Sequence, residues 1–335
     1  MRKIAVGTIV FFCLFLTARV LFAAPQIVSP GEPWLDDRGQ LIQAHSVGMT
    51  LWKGVYYWFG EDRSQSNDPE KRYVACYSSK DLVHWKFRRQ VLALADPEHL
   101  GPNWVLERPK VFANPRTGKF VLYAHLDDAQ YKVARVAVAV SDRIDGEYHY
   151  LKSFRPLNQE SRDIGQFVDN DGTPYLIFES RPTGGFFIAS LSSDYLSVES
   201  KASFIRAPLE GGALVHYKGL YYVVGSHLSG WAPNPNVYAT APSLSGPWTE
   251  FKDIAPPQTN TYGSQSSMLL KITGSKKTAV IFMGDLWRPE QLWDSRYFWM
   301  PLEIGDGVLR LPPPEKWELN VRTGESALMA KPTLK

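Results

Sequence analysis

Five positions in the chain carry polar side chains directly before an apolar stretch that has the pattern of a β-strand. They are His45, Glu107 with Arg108, Asp163, Glu210 and Gln265. Hydrolysis of a glycosidic bond uses two carboxyl groups, one that donates a proton and one that activates water. In inverting enzymes the two groups lie about 6.5–9.5 Å apart, which leaves room for the water. Glu107 and Glu210 are suitable residue types for such a pair, provided that the fold brings their strands together.

A single glutamate before a strand is more often structural than catalytic. It can accept backbone N–H bonds, or it can pair with an adjacent cation, as Glu107 could with Arg108. The recurrence of polar residues at the same place in five segments favours a shared site instead. A general acid also needs a raised pKa, which a poorly hydrated wall or a nearby carboxylate such as Glu107 would give to Glu210.

The segments that contain these residues share one design: an apolar strand, a turn with glycine, and a second strand rich in aromatic or β-branched residues. They span residues 48–62, 108–128, 164–181, 210–231 and 264–287. Lys-Gly, Thr-Gly and Asp-Gly pairs supply residues that take positive φ in tight hairpin turns. The segments therefore predict five β-hairpins.

A second strand–turn–strand pattern follows each of the first four hairpins. It covers residues 74–85, 137–148, 188–199 and 238–248. Repeated four-stranded units predict an all-β fold, and five of them predict a five-bladed β-propeller, with residues 296–319 completing the fifth blade. A β-sandwich or a β-helix would not explain the alternation of paired hairpins. In a propeller the innermost strands surround one channel, so the five polar positions would meet at its mouth.

The first 24 residues have the layout of a secretory signal peptide, with Arg2 and Lys3, an apolar run, and Ala23 and Ala24. A retained membrane anchor is the alternative, but the apolar run is short for a span. We expect residues 25–335 to form a single propeller domain without an appended carbohydrate-binding module. The localisation predicted is secreted or periplasmic.

Charge and cysteine content exclude other classes of protein. The chain has 37 Lys and Arg against 34 Asp and Glu. Three of the basic residues lie in the leader, so the processed chain is nearly neutral and a nucleic-acid partner has no support. Cys76 is the only cysteine after the leader, which rules out an intrachain disulfide.

No metal or cofactor motif stands out. The histidines lack the spacing of H-x-x-x-H or H-E-x-x-H sites, and the DNDG stretch at residues 169–172 departs from a calcium loop. We expect no cofactor and no metal, with a structural cation near His45 and His227 in the channel as an open alternative. The partner expected is an oligo- or polysaccharide, and the chain is expected to be a monomer.

Several stretches resemble glycoside hydrolase family 43, from about residue 40 to residue 320. They include AHSVGMTLWKGVYYWFGED at 44–62, ERPKVFANPRTGKFVLYAHLDD at 107–128 and RDIGQFVDNDGTPYLIFESR at 162–181. The most specific are GSHLSGWAPN at 225–234 and NTYGSQ at 260–265. More narrowly, the chain resembles subfamily 24, the exo-acting β-1,3-galactanases.

The resemblance implies an inverting mechanism and assigns roles. Family members usually carry an aspartate base on the first blade, where this chain has Ala44 and His45. In the galactanase subfamily that aspartate is also missing, and a glutamine sits in the site. Glu210 would be the general acid, Glu107 would take the pKa-modulating role of the second blade, and Gln265 would stand beside the attacking water.

The resemblance also implies the residues that contact the sugar. They are Tyr131, Asp163, Glu61 and Ser229, with Trp231 as an apolar wall. Independently of the resemblance, His45 and His227 are candidates for orienting sugar hydroxyls. Trp104 and Trp287, at predicted strand exits, are further candidate platforms for a sugar ring.

A glutamine in place of a base raises a chemical problem, because an amide is far too weak a base near neutral pH. Gln265 could hold the water, or relay a proton through its imidic tautomer. Alternatively, Asp163 or Glu107 could be the base.

The function expected is release of galactose from the non-reducing end of β-1,3-galactan. An arabinofuranosidase or xylosidase of the same family, or a carbohydrate-binding propeller without catalysis, are the alternatives.

Overall fold

The computed structural model describes residues 26–329, so the predicted leader lies outside the described residues. Strands dominate this part of the chain, which confirms the all-β prediction. The first twelve strands are β1 (Gln26–Val28), β2 (His45–Trp52), β3 (Val55–Glu61), β4 (Lys71–Ser79), β5 (Lys86–Ala95), β6 (Val105–Ala113), β7 (Phe120–Asp127), β8 (Arg135–Ser141), β9 (His149–Phe154), β10 (Ile164–Val168), β11 (Pro174–Ser180) and β12 (Gly185–Leu191). The others are β13 (Val198–Arg206), β14 (Leu209–Tyr217), β15 (Leu220–His227), β16 (Asn236–Ala241), β17 (Lys252–Asp253), β18 (Gln265–Thr273), β19 (Thr278–Leu286), β20 (Arg296–Pro301), β21 (Glu303–Gly305), β22 (Val308–Arg310), β23 (Trp317–Asn320) and β24 (Glu325–Leu328).

Helical structure within residues 26–329 is limited to short 3-10 segments. They are Pro156–Asn158, Pro257–Thr259, Thr261–Gly263 and Pro289–Asp294. No helix in this range is long and apolar enough to cross a membrane.

Five antiparallel sheets follow one another along the chain, and the strands of each are in sequence order. They are β2–β5, β6–β9, β10–β13, β14–β17 and β18–β20. The first strand of each sheet contacts the first strand of the next, and β18 contacts β2. The five sheets therefore surround one axis, with their first strands innermost.

The tight turns form where the Lys-Gly pairs predict them. Lys53 and Gly54 connect β2 to β3 with φ of 49° and 75°, and Lys218 and Gly219 connect β14 to β15 with φ of 48° and 78°. Positive φ at both central residues is the geometry of a two-residue type I′ hairpin turn. The predicted hairpins are confirmed here at the level of individual residues.

The C-terminal region differs from the prediction. Only β20 joins the fifth sheet, which has three strands, while β21 and β22 form a separate hairpin. Strand β23 instead pairs with β1 on one side and β24 on the other. The three consecutive prolines at residues 312–314 lack N–H donors, so this stretch cannot continue a ladder of strand hydrogen bonds.

An aromatic cluster connects the first sheet to the last. Trp58 on β3 is fully buried, and its ring lies 4.6 Å from that of Tyr297 and 4.7 Å from that of Trp299, both on β20. Trp34 packs edge-on against Trp299 at 4.9 Å. Large aromatic side chains bury much apolar surface, so this cluster stabilises the closure between the two sheets.

Four of the innermost strands contain a β-bulge next to their polar position. The irregularities lie between His45 and Gly48, Glu107 and Lys110, Glu210 and Ala213, and Ser266 and Met268. In the first three bulges Ser46, Arg108 and Gly211 have φ of 55°, 52° and 64°. A bulge turns nearby side chains away from the regular alternation of a strand. A β-bulge at the same place in four sheets therefore turns their polar residues toward the axis.

Candidate active site

A pocket of about 190 Å³ lies where the innermost strands begin. Its wall is formed by Ser46, Glu61, Glu107, Arg108, His125, Tyr131, Arg162, Asp163, Arg181, Glu210, Gly230, Trp231, Gln265 and Trp287. Glu107, Asp163, Glu210 and Gln265 come from or directly precede four different sheets, and the structure brings them together here. Most of the predicted site residues lie in this pocket.

Glu210 is the carboxyl group of the pocket with the most altered acidity. It is 6% exposed, and its two oxygens accept hydrogen bonds from Gln265 at 3.0 Å and Arg181 at 3.2 Å. Burial, together with the negative charges of Asp163 and Glu179, raises the pKa of Glu210 to about 8. Burial is the larger of the two causes expected from the sequence, and the main nearby carboxylates are Asp163 and Glu179 instead of Glu107. Glu210 is thus protonated at neutral pH and able to donate a proton.

Asp163, Glu179 and Glu210 form a compact group, with carboxylate oxygens within 4.8 Å of one another. A cation could bridge oxygens at this spacing, but two guanidinium groups already supply positive charge. Arg108 pairs with Asp163 at 2.8 Å, and Arg181 contacts both Glu179 and Glu210. Two arginines thus partly offset the charge of the three carboxyl groups.

The side-chain amide of Gln265 has a single possible orientation. Its carbonyl oxygen accepts from Arg108 at 2.8 Å and from the Trp287 indole at 2.9 Å, and both of these groups can only donate. The amide nitrogen therefore faces Glu210 at 3.0 Å and the Ser226 hydroxyl at 3.1 Å. All four hydrogen-bonding positions of the amide are occupied by protein groups, so in this geometry Gln265 holds the acid rather than a water.

Glu107 lies in a separate polar group. It contacts Arg63 at 3.4 Å, the Tyr131 hydroxyl at 3.3 Å and the His125 ring at 3.6 Å. Burial disfavours the charged form of His125, but Asp127 and Glu107 outweigh it and raise the pKa of the imidazole to about 9. Arg108, adjacent in sequence, turns away toward Asp163, so the salt bridge considered between Glu107 and Arg108 is absent from the described residues.

Glu61 at the end of β3 is buried and charged. Burial would raise its pKa, but Arg63 and hydrogen bonds from the Ser46 hydroxyl and the Arg108 amide outweigh this effect and lower the pKa. The Arg108 N–H lies 2.9 Å from the carboxylate. Glu61 therefore ties the first two sheets together at the edge of the pocket.

Two predicted sugar contacts lie outside the pocket wall. His45 is fully buried, where its ring stacks on Tyr297 at 5.0 Å and its Nδ1 lies 3.3 Å from Asp285. The Ser229 hydroxyl donates to the Ala232 carbonyl at 2.5 Å and accepts from Asn234 at 2.6 Å, which closes its own loop. Both side chains have structural partners, and neither is part of the pocket wall.

The three candidate tryptophans differ in position. Trp231 is 43% exposed and meets Trp287 edge-on at 5.4 Å, so the two rings form an apolar corner of the pocket. Trp104 is 3% exposed and does not reach the pocket. The position of Trp104 before an innermost strand therefore reflects core packing.

A second set of five polar residues lies opposite the first, and four of the five were missed from the sequence. Each lies on the second strand of a hairpin and faces a predicted residue across it: Glu61, His125, Glu179, Ser226 and Asp285. All are nearly inaccessible to solvent. Only Glu61 was named beforehand, and through the family resemblance. A polar residue recurs near the end of each second strand in the sequence, and this recurrence could have predicted the second set.

Comparisons with known proteins identify the family of the chain. The family described as glycosyl hydrolases family 43 matches residues 46–274. The exo-β-1,3-galactanase from Phanerochaete chrysosporium with galactose is 38% identical, with a TM-score of 0.84 over 91% of this chain and 71% of that one. A Glu-to-Gln variant of that enzyme with β-1,3-galactotriose gives 36% identity and a TM-score of 0.85, with the same coverage.

A bacterial structure agrees as well. The exo-β-1,3-galactanase from Clostridium thermocellum is 32% identical, with a TM-score of 0.83 over 92% of this chain and 70% of that one. None of the curated proteins matches the sequence. On the family match and on identities above 30% across most of its length, the chain belongs to glycosyl hydrolases family 43 and is a glycoside hydrolase.

Proposed function

We propose that the protein is an inverting, exo-acting hydrolase that releases galactose from the non-reducing end of β-1,3-galactan. The similarity to exo-β-1,3-galactanases over 91% of the chain supports the proposed substrate. The proposed reaction is supported by Glu210, which is buried in the pocket and has a pKa of about 8. The substrate is thus an oligo- or polysaccharide, and the proposed mechanism uses no cofactor.

The proposed architecture is a five-bladed propeller that forms one catalytic domain, residues 25–335. Five consecutive sheets with mutually contacting first strands support this description. A secreted or periplasmic monomer remains the proposal for localisation and assembly, based on the leader-like first 24 residues.

Glu210 is the proposed general acid. Protonating the leaving oxygen requires a group that still holds its proton at the working pH, and burial with adjacent carboxylates provides this. Arg108 and Arg181 partly offset the shift and are placed to stabilise the carboxylate left after proton transfer.

Glu107 is the proposed carboxylate on the water side. Asp163 has an oxygen within 4.8 Å of Glu210, which is too close for a water to react between them by the spacing of inverting enzymes. Gln265 donates a hydrogen bond to Glu210 and accepts one from Arg108, and it is proposed to hold the acid in place. Glu107 contacts Tyr131 and His125 on another part of the wall.

The proposed sugar contacts are the remaining wall residues named from the sequence. Tyr131, Asp163 and Glu61 offer polar atoms, and Trp231 offers an apolar face beside Trp287. His45 and Ser229 are left out because His45 is fully buried behind the pocket wall and the Ser229 hydroxyl is bonded within its own loop.

The decisive experiment compares wild type with Glu210→Gln on β-1,3-galactobiose. Loss of the general acid is expected to lower kcat by about 10²–10⁴-fold, while Glu199→Gln on the exposed surface leaves it unchanged. Wild-type kcat/KM is expected to fall above pH 8 as Glu210 loses its proton. Wild-type turnover by Glu210→Gln would remove Glu210 from the acid role.

Two further measurements separate the alternatives. Proton NMR of the first product is expected to show α-galactose, and β-galactose appearing first would refute inversion. A panel of nitrophenyl glycosides tests arabinofuranosidase and xylosidase activity. Galactan binding by calorimetry without sugar release would identify a binding protein instead.

A further inference from the structure

Glu179 has so far entered only as one of the charges that raise the pKa of Glu210, and it lies next to this proposed acid. It is on β11, 2% exposed, and it is not one of the residues that form the pocket wall. Its backbone N–H donates to the Asp163 carbonyl at 3.0 Å, which fixes the two residues side by side.

The contacts of Glu179 connect it to Glu210 through one side chain. Arg181 donates from Nε to Glu179 at 2.8 Å and from a terminal nitrogen to Glu210 at 3.2 Å. The second oxygen of Glu179 is buried and has no hydrogen-bond partner within residues 26–329. A buried carboxylate oxygen without a partner is costly when ionised, whereas a protonated carboxyl group carries no charge.

The charges around this group do not balance unless it holds a proton. Asp163, Glu179 and Glu210 contribute three carboxyl groups, and only Arg108 and Arg181 pair with them. Arg162 also faces Glu179 but forms its own ion pair with Glu160 at 2.9 Å. A buried group tends toward zero net charge because desolvating an unpaired ion is expensive. One proton for the three carboxyl groups gives that balance.

Asp163 is the member that is paired directly with Arg108 and with a backbone N–H. One of its oxygens accepts from Arg108 at 2.8 Å and from the backbone N–H of Gly211 at 2.9 Å. Hydrogen bonds to the charged form favour that form. The remaining proton therefore belongs to Glu179 and Glu210, and burial with the charge of Asp163 raises the pKa of both.

We propose that Glu179 is a positioning residue that shares one proton with Glu210 and keeps the acid protonated when substrate arrives. The inference rests on the proposed function of Glu210 as the acid. When Glu210 gives its proton to the leaving oxygen, the group becomes singly negative between two arginines. A proton from solvent restores it after product leaves.

The first test is the pH profile of Glu179→Gln, which removes the charge and keeps the shape. The basic limb of kcat/KM is expected to move to lower pH by about one unit, the low end of the effect of a neighbouring charge. Activity on the plateau below pH 6 is expected to stay within about twofold, since Glu179 does not touch substrate. Glu179→Asp should restore most of the wild-type limb, and Glu98→Gln, which removes a remote carboxylate, should not move it.

An unmoved limb in a folded Glu179→Gln variant would overturn the inference while leaving the proposed function intact. An inactive wild type would instead overturn the proposed function.

The second test needs no activity and no change at Glu179. Carboxyl carbon NMR of glutamate-labelled protein would follow Glu179 as pH is varied in wild type and in Glu210→Gln. Two carboxyl groups that share a proton titrate as a pair, so the pKa of Glu179 is expected to fall when Glu210 is made neutral. Identical titration curves for Glu179 in the two proteins would contradict proton sharing.

Discussion

Glu210 has an acidity suited to proton donation, and the same burial weakens the fold at alkaline pH. Its folded-state pKa of about 8 lies above the ordinary value of 4.5. Between these values the native state holds a proton that the unfolded chain releases, so stability falls as pH rises from about 4.5 to about 8.

This linkage gives a prediction for Glu210→Gln, which removes the titrating group. The variant is expected to have a higher Tm than wild type at pH 8, by about 2–4 °C for each kcal/mol of relieved charge burial, and a similar Tm at pH 4.5. Scanning calorimetry at several pH values measures the difference. Glu199→Gln on the exposed surface is the control, and a Glu210→Gln variant that is less stable than wild type at pH 8 would contradict the prediction.

Residue-level prediction from the sequence worked for the first strand of four of the five hairpins, and it was wrong for His45 in the first hairpin. Glu107, Asp163, Glu210 and Gln265 all reach the pocket because their place in the repeat is the same. Contacts between sheets were not predictable, since the repeat does not say that Arg108 turns toward Asp163 and Gln265. Those contacts depend on the bulge at Arg108 and on distances between sheets.

At the scale of elements, a buried lysine connects the bulges of β2 and β6. Lys110 on β6 is fully buried, and its ammonium group donates to the carbonyls of Ser46 and Val47 at 2.9 and 2.6 Å. Ser46 in turn lies in the bulge of β2 and contacts Glu61. Lys110 thus connects the bulge of the second sheet to that of the first.

Replacing Lys110 by methionine is expected to destabilise the protein by about 1–3 kcal/mol, because two buried carbonyl groups lose their donor. Burial and the nearby Arg108 lower the pKa of Lys110 to about 7. Between pH 7 and about 10.5, Lys110 is neutral in the native state but still protonated in the unfolded chain. The contribution of this group to wild-type stability therefore increases as the pH rises over that range.

Urea denaturation at pH 6 and pH 9 measures both effects. Lys119→Met is a matched control, since Lys119 is exposed and pairs with an exposed aspartate at Asp142. Equal stability of Lys110→Met and Lys119→Met at both pH values would show that the bulges do not depend on this cation.

Elements with local signals were predicted well, and elements defined by distant partners were not. A Lys-Gly pair fixes its own turn through positive φ, as at Lys53 and Gly54. Strand β23 pairs with β1 from the other end of the chain, and nothing within residues 317–320 indicates that partner. Turn chemistry is local, whereas strand pairing across almost 300 residues is decided by the closure of the whole structure.

At the scale of the molecule, the contact between β18 and β2 joins the last sheet to the first, so each of the five sheets has a neighbour on both sides. Aromatic packing of Trp58 against Tyr297 and Trp299 stabilises the same junction. A sheet at this junction cannot separate without exposing the core of its neighbour.

Thermal unfolding is therefore expected to be one cooperative transition, with coincident midpoints by near-UV circular dichroism, far-UV circular dichroism and tryptophan fluorescence. Galactose should raise all three midpoints together, because a ligand that binds only the native state stabilises it as a unit. Separate midpoints would indicate sheets that unfold independently.

The pairing of β1 with β23 has a consequence for the order of the chain. Gln26 lies opposite Leu319, and Leu319 lies opposite Ser326, so Gln26 and Ser326 are about two strand spacings apart, roughly 10 Å, and the described chain ends three residues after Ser326. A peptide of a few residues can span that gap. A circularly permuted protein, joined there and opened at the exposed tip of the turn at residues 170–172, would keep every sheet and the whole pocket. The shape of the site is therefore expected not to depend on where in the fold the chain starts.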